Sequence, residues 1–110
     1  MKPGYSLWIK NDEDEKVFGL GPYNLLLLID KLGSLNKAAK EMKLSYSKAI
    51  DILNRAEREL DIKLLDREIG GPYGGGSSLT EEARGLMDRY RRFREDSSIA
   101  IEKIYKDIFD

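Results

Sequence analysis

The 110-residue sequence contains no cysteine and no histidine. Disulfides, thiolate nucleophiles, imidazole bases and zinc sites built on those ligands are thereby excluded. A chain without cysteine suits a reducing compartment, so a cytoplasmic location is expected. Long apolar runs are also missing. The longest, Leu25 to Ile29, falls far short of the ~20 residues a bilayer-spanning helix needs. The first ten residues, "MKPGYSLWIK", lack the apolar segment of a secretory signal. There is little excess of charge either: 19 basic against 20 acidic residues give a net −1, so the sum exerts no pull on nucleic acid. What remains is 41% hydrophobic and 35% charged, enough for the modest core of one small domain.

The charges that are present are unevenly placed. Between Lys37 and Arg67 eight basic residues face six acids, while acids gather in "NDEDE" and along the C-terminal stretch. The acidic run nearly matches a calcium loop, but Lys16 stands where that loop needs glycine, and it reads as a solvated turn. A second near-match lies in "IGGPYGGGSSLT", Ile69 to Thr80, with five glycines in twelve residues. Gly71 to Ser78 has the spacing of a nucleotide-binding P-loop, yet Ser77 occupies the place of the phosphate-reaching lysine. No strand–loop–helix unit of the P-loop kind precedes it.

Along the chain, "YSLWIK" alternates as a strand, with Tyr5, Leu7 and Ile9 on one face, and "VF" reads as its return. "YNLLLLIDKL" reads as a helix because Pro22 suits the first helical position and Gly33 the left-handed position after the last turn. Ser34 can cap a short helix, "LNKAAKEM", in which Ala38 and Ala39 allow a close helix crossing. A third helix follows Ser45. Its apolar stripe is Ala49, Leu53, Ala56 and Leu60, and Ile50 and Ile52 cannot both join it, so one is expected against the wing or the last helix. "IKLLDREI", the glycines and "SSL" form a hairpin. Thr80 then caps a long helix whose first turn carries Glu81 and Glu82, and whose heptad seam runs Ala83, Met87, Tyr90, Arg94, Ser97, Ile101, Ile104 and Ile108. Without proline or glycine at Glu95–Ser98 that helix reads as continuous.

The fold expected is mainly α with small β-hairpins (α+β): a winged helix-turn-helix over 1–79 and a long C-terminal dimerisation helix over 80–110. The segments "GSLNKAAK", "LSYSKA" and "LLDRE", with the glycine-rich wing closed by Leu79 and Thr80, resemble the N-terminal DNA-binding domain of the molybdate-responsive (ModE) regulators. That domain shares its winged helix-turn-helix with the LysR-type regulators, and the resemblance spans about Leu7 to Arg94. It implies a sequence-specific, DNA-binding transcriptional regulator. One departure is Lys43, at a turn position that is often glycine in such domains; forcing it to positive φ would cost roughly 1 kcal/mol, so a differently shaped turn is expected. Family members that sense molybdate carry C-terminal oxyanion-binding domains. As the sequence stops at Asp110, neither such a domain nor molybdate binding is expected here.

In such a domain the N-terminal turn of the third helix enters the major groove of double-stranded DNA. The candidate contacts are Ser45, Tyr46, Ser47 and Lys48, in a stretch free of acids from Met42 to Ile50, with Arg55 as a phosphate clamp. Lys37 adds a backbone contact, and Arg67, Gly71, Tyr73, Gly74 and Gly75 form the wing's share. The plainer readings are a core role for Tyr46, solvation for Lys37 and Lys48, and a hairpin tip that touches nothing. Asp51 would oppose DNA unless it pairs with Arg55 or meets a cytosine amino group. The arginines of "DRYRRFRE" read as the solvated flank of a helix. A homodimer is expected through Met87, Tyr90, Ile101, Ile104 and Ile108. The competing class is a protein–protein interaction module that pairs with another regulator. Neither a metal, a cofactor nor a catalytic constellation is expected, so the chain does not read as an enzyme.

Overall fold

The structure, a computed structural model, describes residues 1–67 and 76–110. The order of elements is β1 (Trp8–Lys10), β2 (Lys16–Gly19), α1 (Leu20–Leu32), α2 (Leu35–Glu41), α3 (Tyr46–Leu60), β3 (Leu65–Arg67), β4 (Ser77–Leu79) and α4 (Glu81–Phe109). Two antiparallel hairpins flank a three-helix unit, and one long helix closes the chain. This is the α+β winged helix-turn-helix that the sequence leads one to expect.

In the first hairpin Trp8 pairs with Gly19 and Ile9 with Phe18. The strand begins at Trp8 rather than Tyr5, and Tyr5 stays exposed while Ile9 packs on the core. The acidic turn is held locally: the Asn11 carboxamide oxygen accepts from the backbone N–H of Glu13 (3.0 Å) and Glu15 (2.9 Å). At Gly19 the chain passes straight into α1. A Cβ there would meet Trp8 Cβ and Lys16 Cε at 3.0 Å, so a larger residue would have to push these side chains aside. The helix thus starts two residues before Pro22, which occupies the third helical position instead of the first. Proline is tolerated there because the first four helical N–H groups need no intrahelical partner.

Gly33, at φ 69°, ends α1 and donates its N–H to Ile29 O at 2.7 Å. The Ser34 hydroxyl accepts from Lys37 N (3.2 Å), the Ser45 hydroxyl from Lys48 N (3.1 Å), and the Thr80 hydroxyl from Ala83 N (3.0 Å). All three caps lie where the sequence places them. Between α2 and α3 the expectation fails: Lys43 does adopt positive φ, 58°. The turn keeps its ordinary shape because Leu44 N bonds back to Ala39 O at 2.9 Å and Lys43 N to Lys40 O at 3.0 Å, and these bonds hold the lysine there.

The core is continuous. Phe18 from β2, Leu25, Leu26 and Ile29 from α1, Leu53 from α3, Leu64 just before β3, and Tyr90 from α4 are all fully buried. Tyr90 sits at the centre, edge-on to Phe18 with ring centroids 5.3 Å apart and tilted against Tyr23 at 5.5 Å. Its hydroxyl donates to Leu7 O (2.9 Å), tying the N-terminal arm to α4. Ile50 and Ile52 are both half-buried beside Leu53. Ile52 lies near Val17 and Pro22 rather than on the wing or the long helix, because β2 and the start of α1 occupy that flank of α3.

Candidate nucleic-acid interface

The core stripe of α3, Ala49, Leu53 and Ala56, fixes which side of the helix looks outward. At helical spacing the opposite ridge is Ser47, Asp51, Asn54 and Arg58, all four exposed. Ser45 and Lys48 are exposed in the first turn, and so is Arg55 further on. Tyr46 is 48% exposed, which sets aside the core role for it. It lies on one flank of α3, where it shares a shallow depression with Ser34, Asn36 and Ser77. Lys48 and Arg55 lie on the other flank, along a groove of about 360 Å³ shared with Lys16 of the first hairpin. Asp51 and Arg55, one turn apart, form no ion pair among the described residues.

The second hairpin stands on the Tyr46 side. Its strands pair Leu65 with Leu79, Asp66 with Ser78 and Arg67 with Ser77. Ser77 N donates to Gly33 O (3.0 Å), which pins the start of β4 to the turn before α2. At the other end the Thr80 hydroxyl donates to Lys63 O (2.5 Å), and Glu57 of α3 accepts from Leu64 N (2.8 Å). The base of the wing is therefore locked to α1, α3 and α4. Arg67 is described through its place in β3; the expected wing contacts Gly71, Tyr73, Gly74 and Gly75 lie outside the described residues. Lys37 is exposed on α2, one residue from Asn36.

Asn54, Arg58 and Asn36 are exposed on or beside this face and are not among the residues that the sequence singles out, which on α2 and α3 are Lys37, Tyr46, Ser47, Lys48 and Arg55. The signal for Asn54 and Arg58 was in the sequence, as the complement of the four-three core stripe. Asn36 becomes relevant only when α2 and α3 are placed side by side.

The expected dimer residues divide. Met87 and Tyr90 are buried within this chain's own core, 9% and 1% exposed, and so are taken out of any seam between copies. The cause is that α4 passes over Phe18 and Tyr23 before leaving the domain. Ile104 and Ile108 are exposed, as are Ile99 and Phe109, and Ile101 is half-exposed. Tyr105 stacks on Phe109 with centroids 5.1 Å apart, so the apolar stripe is Ile101, Ile104, Tyr105 and Ile108. Helix α4 is continuous through Glu95–Ser98.

A short helix, a four-residue turn, a longer helix with an exposed outer ridge, and a strand pair anchored beside it make a helix-turn-helix with a wing. Residues 23–84, more than half of the chain, match the family described as "Bacterial regulatory helix-turn-helix protein, lysR family". The chain belongs to that lysR family. The family is regulatory, in agreement with the expectation of a regulator rather than an enzyme. The chain is 42% identical over 66 residues to the transcriptional regulator ModE of Haemophilus influenzae, covering 60% of this chain and 26% of that protein. It is 34% identical over 80 residues to the molybdenum transport protein ModE of Azotobacter vinelandii, covering 73% and 30%. It is 34% identical over 67 residues to the DNA-binding transcriptional dual regulator ModE of Escherichia coli K12, covering 61% and 26%. The matched stretch is thus a ModE-like member of the lysR family, and it spans between a quarter and a third of these relatives' length. Among the described residues no helix is long and apolar enough to cross a membrane.

Proposed function

We propose that this chain acts as the DNA-reading part of a transcriptional regulator and works as a homodimer on a palindromic site. The observation that carries the reading is the outer face of α3, solvent-exposed along Ser47, Asp51, Asn54 and Arg58, with an acid-free first turn at Ser45–Lys48. Lys48 can bind a guanine edge or a phosphate, and Asn54 can pair with adenine. Lys37, Arg55 and the glycine-rich wing after Arg67 supply backbone contacts, which fix register without reading sequence. The apolar end of α4 supports pairing with a second copy through Ile101, Ile104, Tyr105 and Ile108, since such a stripe is unfavourable in water. Two-fold pairing would place two α3 helices about one DNA turn apart, ~34 Å.

The test is selection of bound DNA from a random pool, followed by titration of the selected site. Lys48→Ala should weaken binding by roughly 1–3 kcal/mol and relax preference at one position per half-site if the side chain reads a base. If it meets phosphate alone, all sequences should weaken alike and the salt slope should fall by about one for each phosphate left unneutralised. No enrichment from the pool, with the fold intact by circular dichroism, would refute the reading. The exposed end of α4 would then favour a module that pairs with another regulator.

A further inference from the structure

Between the N-terminal arm and α4 lies a cleft of about 450 Å³, which shares Lys16 alone with the groove along Lys48 and Arg55 of α3. Its walls include Tyr5, Trp8, Leu20 and Tyr90, and two cations, Lys16 and Arg94, reach it. Among the described residues no carboxylate lines it. Lys16 and Arg94 take part in no ion pair among the described residues, although the chain as a whole has slightly more acids than bases. The Lys16 ammonium lies 5.7 Å from the centroid of the Trp8 ring, and that ring is 48% exposed. The floor is firm, because Tyr90 is buried and hydrogen-bonded to Leu7 O. Glu95 is met only in an adjoining depression, which shares Tyr5 and Arg94 with the cleft.

We propose that this cleft is a binding site for a small, flat organic anion of the aromatic carboxylate class. Its volume is within the range of small-molecule pockets, ~300–1,000 Å³. The aromatic walls suit a planar ring, and a guanidinium with an ammonium suits a carboxylate, Arg94 through paired N–H donors and Lys16 as a point charge. An inorganic anion would leave the aromatic walls unused, and a neutral ring would leave both cations unpaired. The site does not depend on DNA reading. It joins four parts of the fold, though: the arm, the first hairpin, the start of α1 and the stretch of α4 that precedes the exposed isoleucines.

Trp8 is the sole tryptophan of the chain, so its fluorescence reports on this cleft directly. The experiment titrates the 110-residue protein with benzoate to about 20 mM, the range in which so small a ligand is expected to saturate. Benzamide and acetate at equal concentration serve as the neutral and the non-aromatic controls. The expected result is a saturable change with benzoate that neither control reproduces. Arg94→Gln should raise the benzoate Kd about tenfold, the effect of losing one hydrogen bond between charged groups. Lys16→Gln should weaken it in the same direction, whereas Lys63→Gln, an exposed lysine elsewhere, should leave it unchanged. No saturable change, an equal response to benzamide or acetate, or an Arg94→Gln protein that is folded and binds as well as the parent would each overturn the proposal.

Discussion

Lys43 holds φ 58° in the turn between α2 and α3, a conformation that costs a side-chain-bearing residue roughly 1–2 kcal/mol. It stays there because neighbouring backbone bonds to Ala39 and Lys40 leave the turn no other shape. Glycine would relieve that strain but would lose more chain entropy on folding, roughly 0.5–1 kcal/mol. Lys43→Gly should therefore stabilise the protein by about 0.5–1 kcal/mol in denaturant unfolding. A loss of stability would show that the lysine side chain makes an interaction worth more than the strain. Thr80 is the opposite case, one hydroxyl with two obligations. It donates to Lys63 O and accepts from Ala83 N in a buried position, closing the wing and capping α4 together. Thr80→Ala should cost about 1–2 kcal/mol, near the top of the range for a missing cap, because the part-buried Lys63 carbonyl is also left without its partner. Thr80→Ser should recover most of that. Equal stability of all three proteins in urea would contradict this account.

Helix α4 changes its task part-way along. Its first turns, Ala83, Leu86, Met87 and Tyr90, are in the core; Ile99, Ile104, Ile108 and Phe109 face solvent. Ile104→Asp together with Ile108→Lys should leave the melting of a monomer intact yet abolish self-association in sedimentation at micromolar concentration. A parent protein that sediments as a monomer, or a double variant that still pairs, would remove the proposed seam. Helix α3 divides around its circumference instead. Ala49, Leu53 and Ala56 hold it in place, leaving the ridge of Ser47, Asp51, Asn54 and Arg58 free. Substitutions on that ridge are expected to change recognition with little effect on stability.

The molecule as a whole measures 61 × 28 × 24 Å, an elongation due to α4, whose 29 residues would span about 43 Å. The long helix is fastened to the domain by Tyr90 within and by Arg84 outside, where its guanidinium makes a two-pronged bond with Asp30 of α1 at 2.8 and 3.3 Å. That hydrogen bond from Arg84 holds the Asp30 carboxyl below its ordinary pKa, against the opposing effect of burial and with the guanidinium's charge attraction adding least. A carboxyl with a depressed folded pKa contributes stability above its unfolded value, and the contribution fades as pH falls through the folded one. Asp30→Asn should thus lower the melting temperature slightly near neutral pH, and the gap to the parent should close on acidification below the carboxylate range. Both side chains are about half exposed, so salt should narrow the gap as well. A gap that persists unchanged at low pH would assign the effect to something other than this ion pair.

Much of this architecture is legible in local chemistry, because its signals act over a few residues. Ser34, Ser45 and Thr80 cap helices through bonds three residues ahead, Gly33 ends α1 through a conformation few other residues accept, and the four-three stripe of α3 declares its buried side. Those features dictate helix-turn-helix and wing without reference to the rest of the chain. The heptad along α4 is equally clear, yet periodicity marks an apolar face and not what covers it. Only the packed structure shows that Phe18 and Tyr23 claim Tyr90 and that the unpartnered stripe begins near Ile101. Arg94 likewise reads as one of several solvated arginines until the N-terminal arm, more than eighty residues earlier, is brought against it beside Lys16 and Trp8. Backbone preference is local and is carried by each short segment. The partner of a side chain is set by closure of the whole core, which no segment contains.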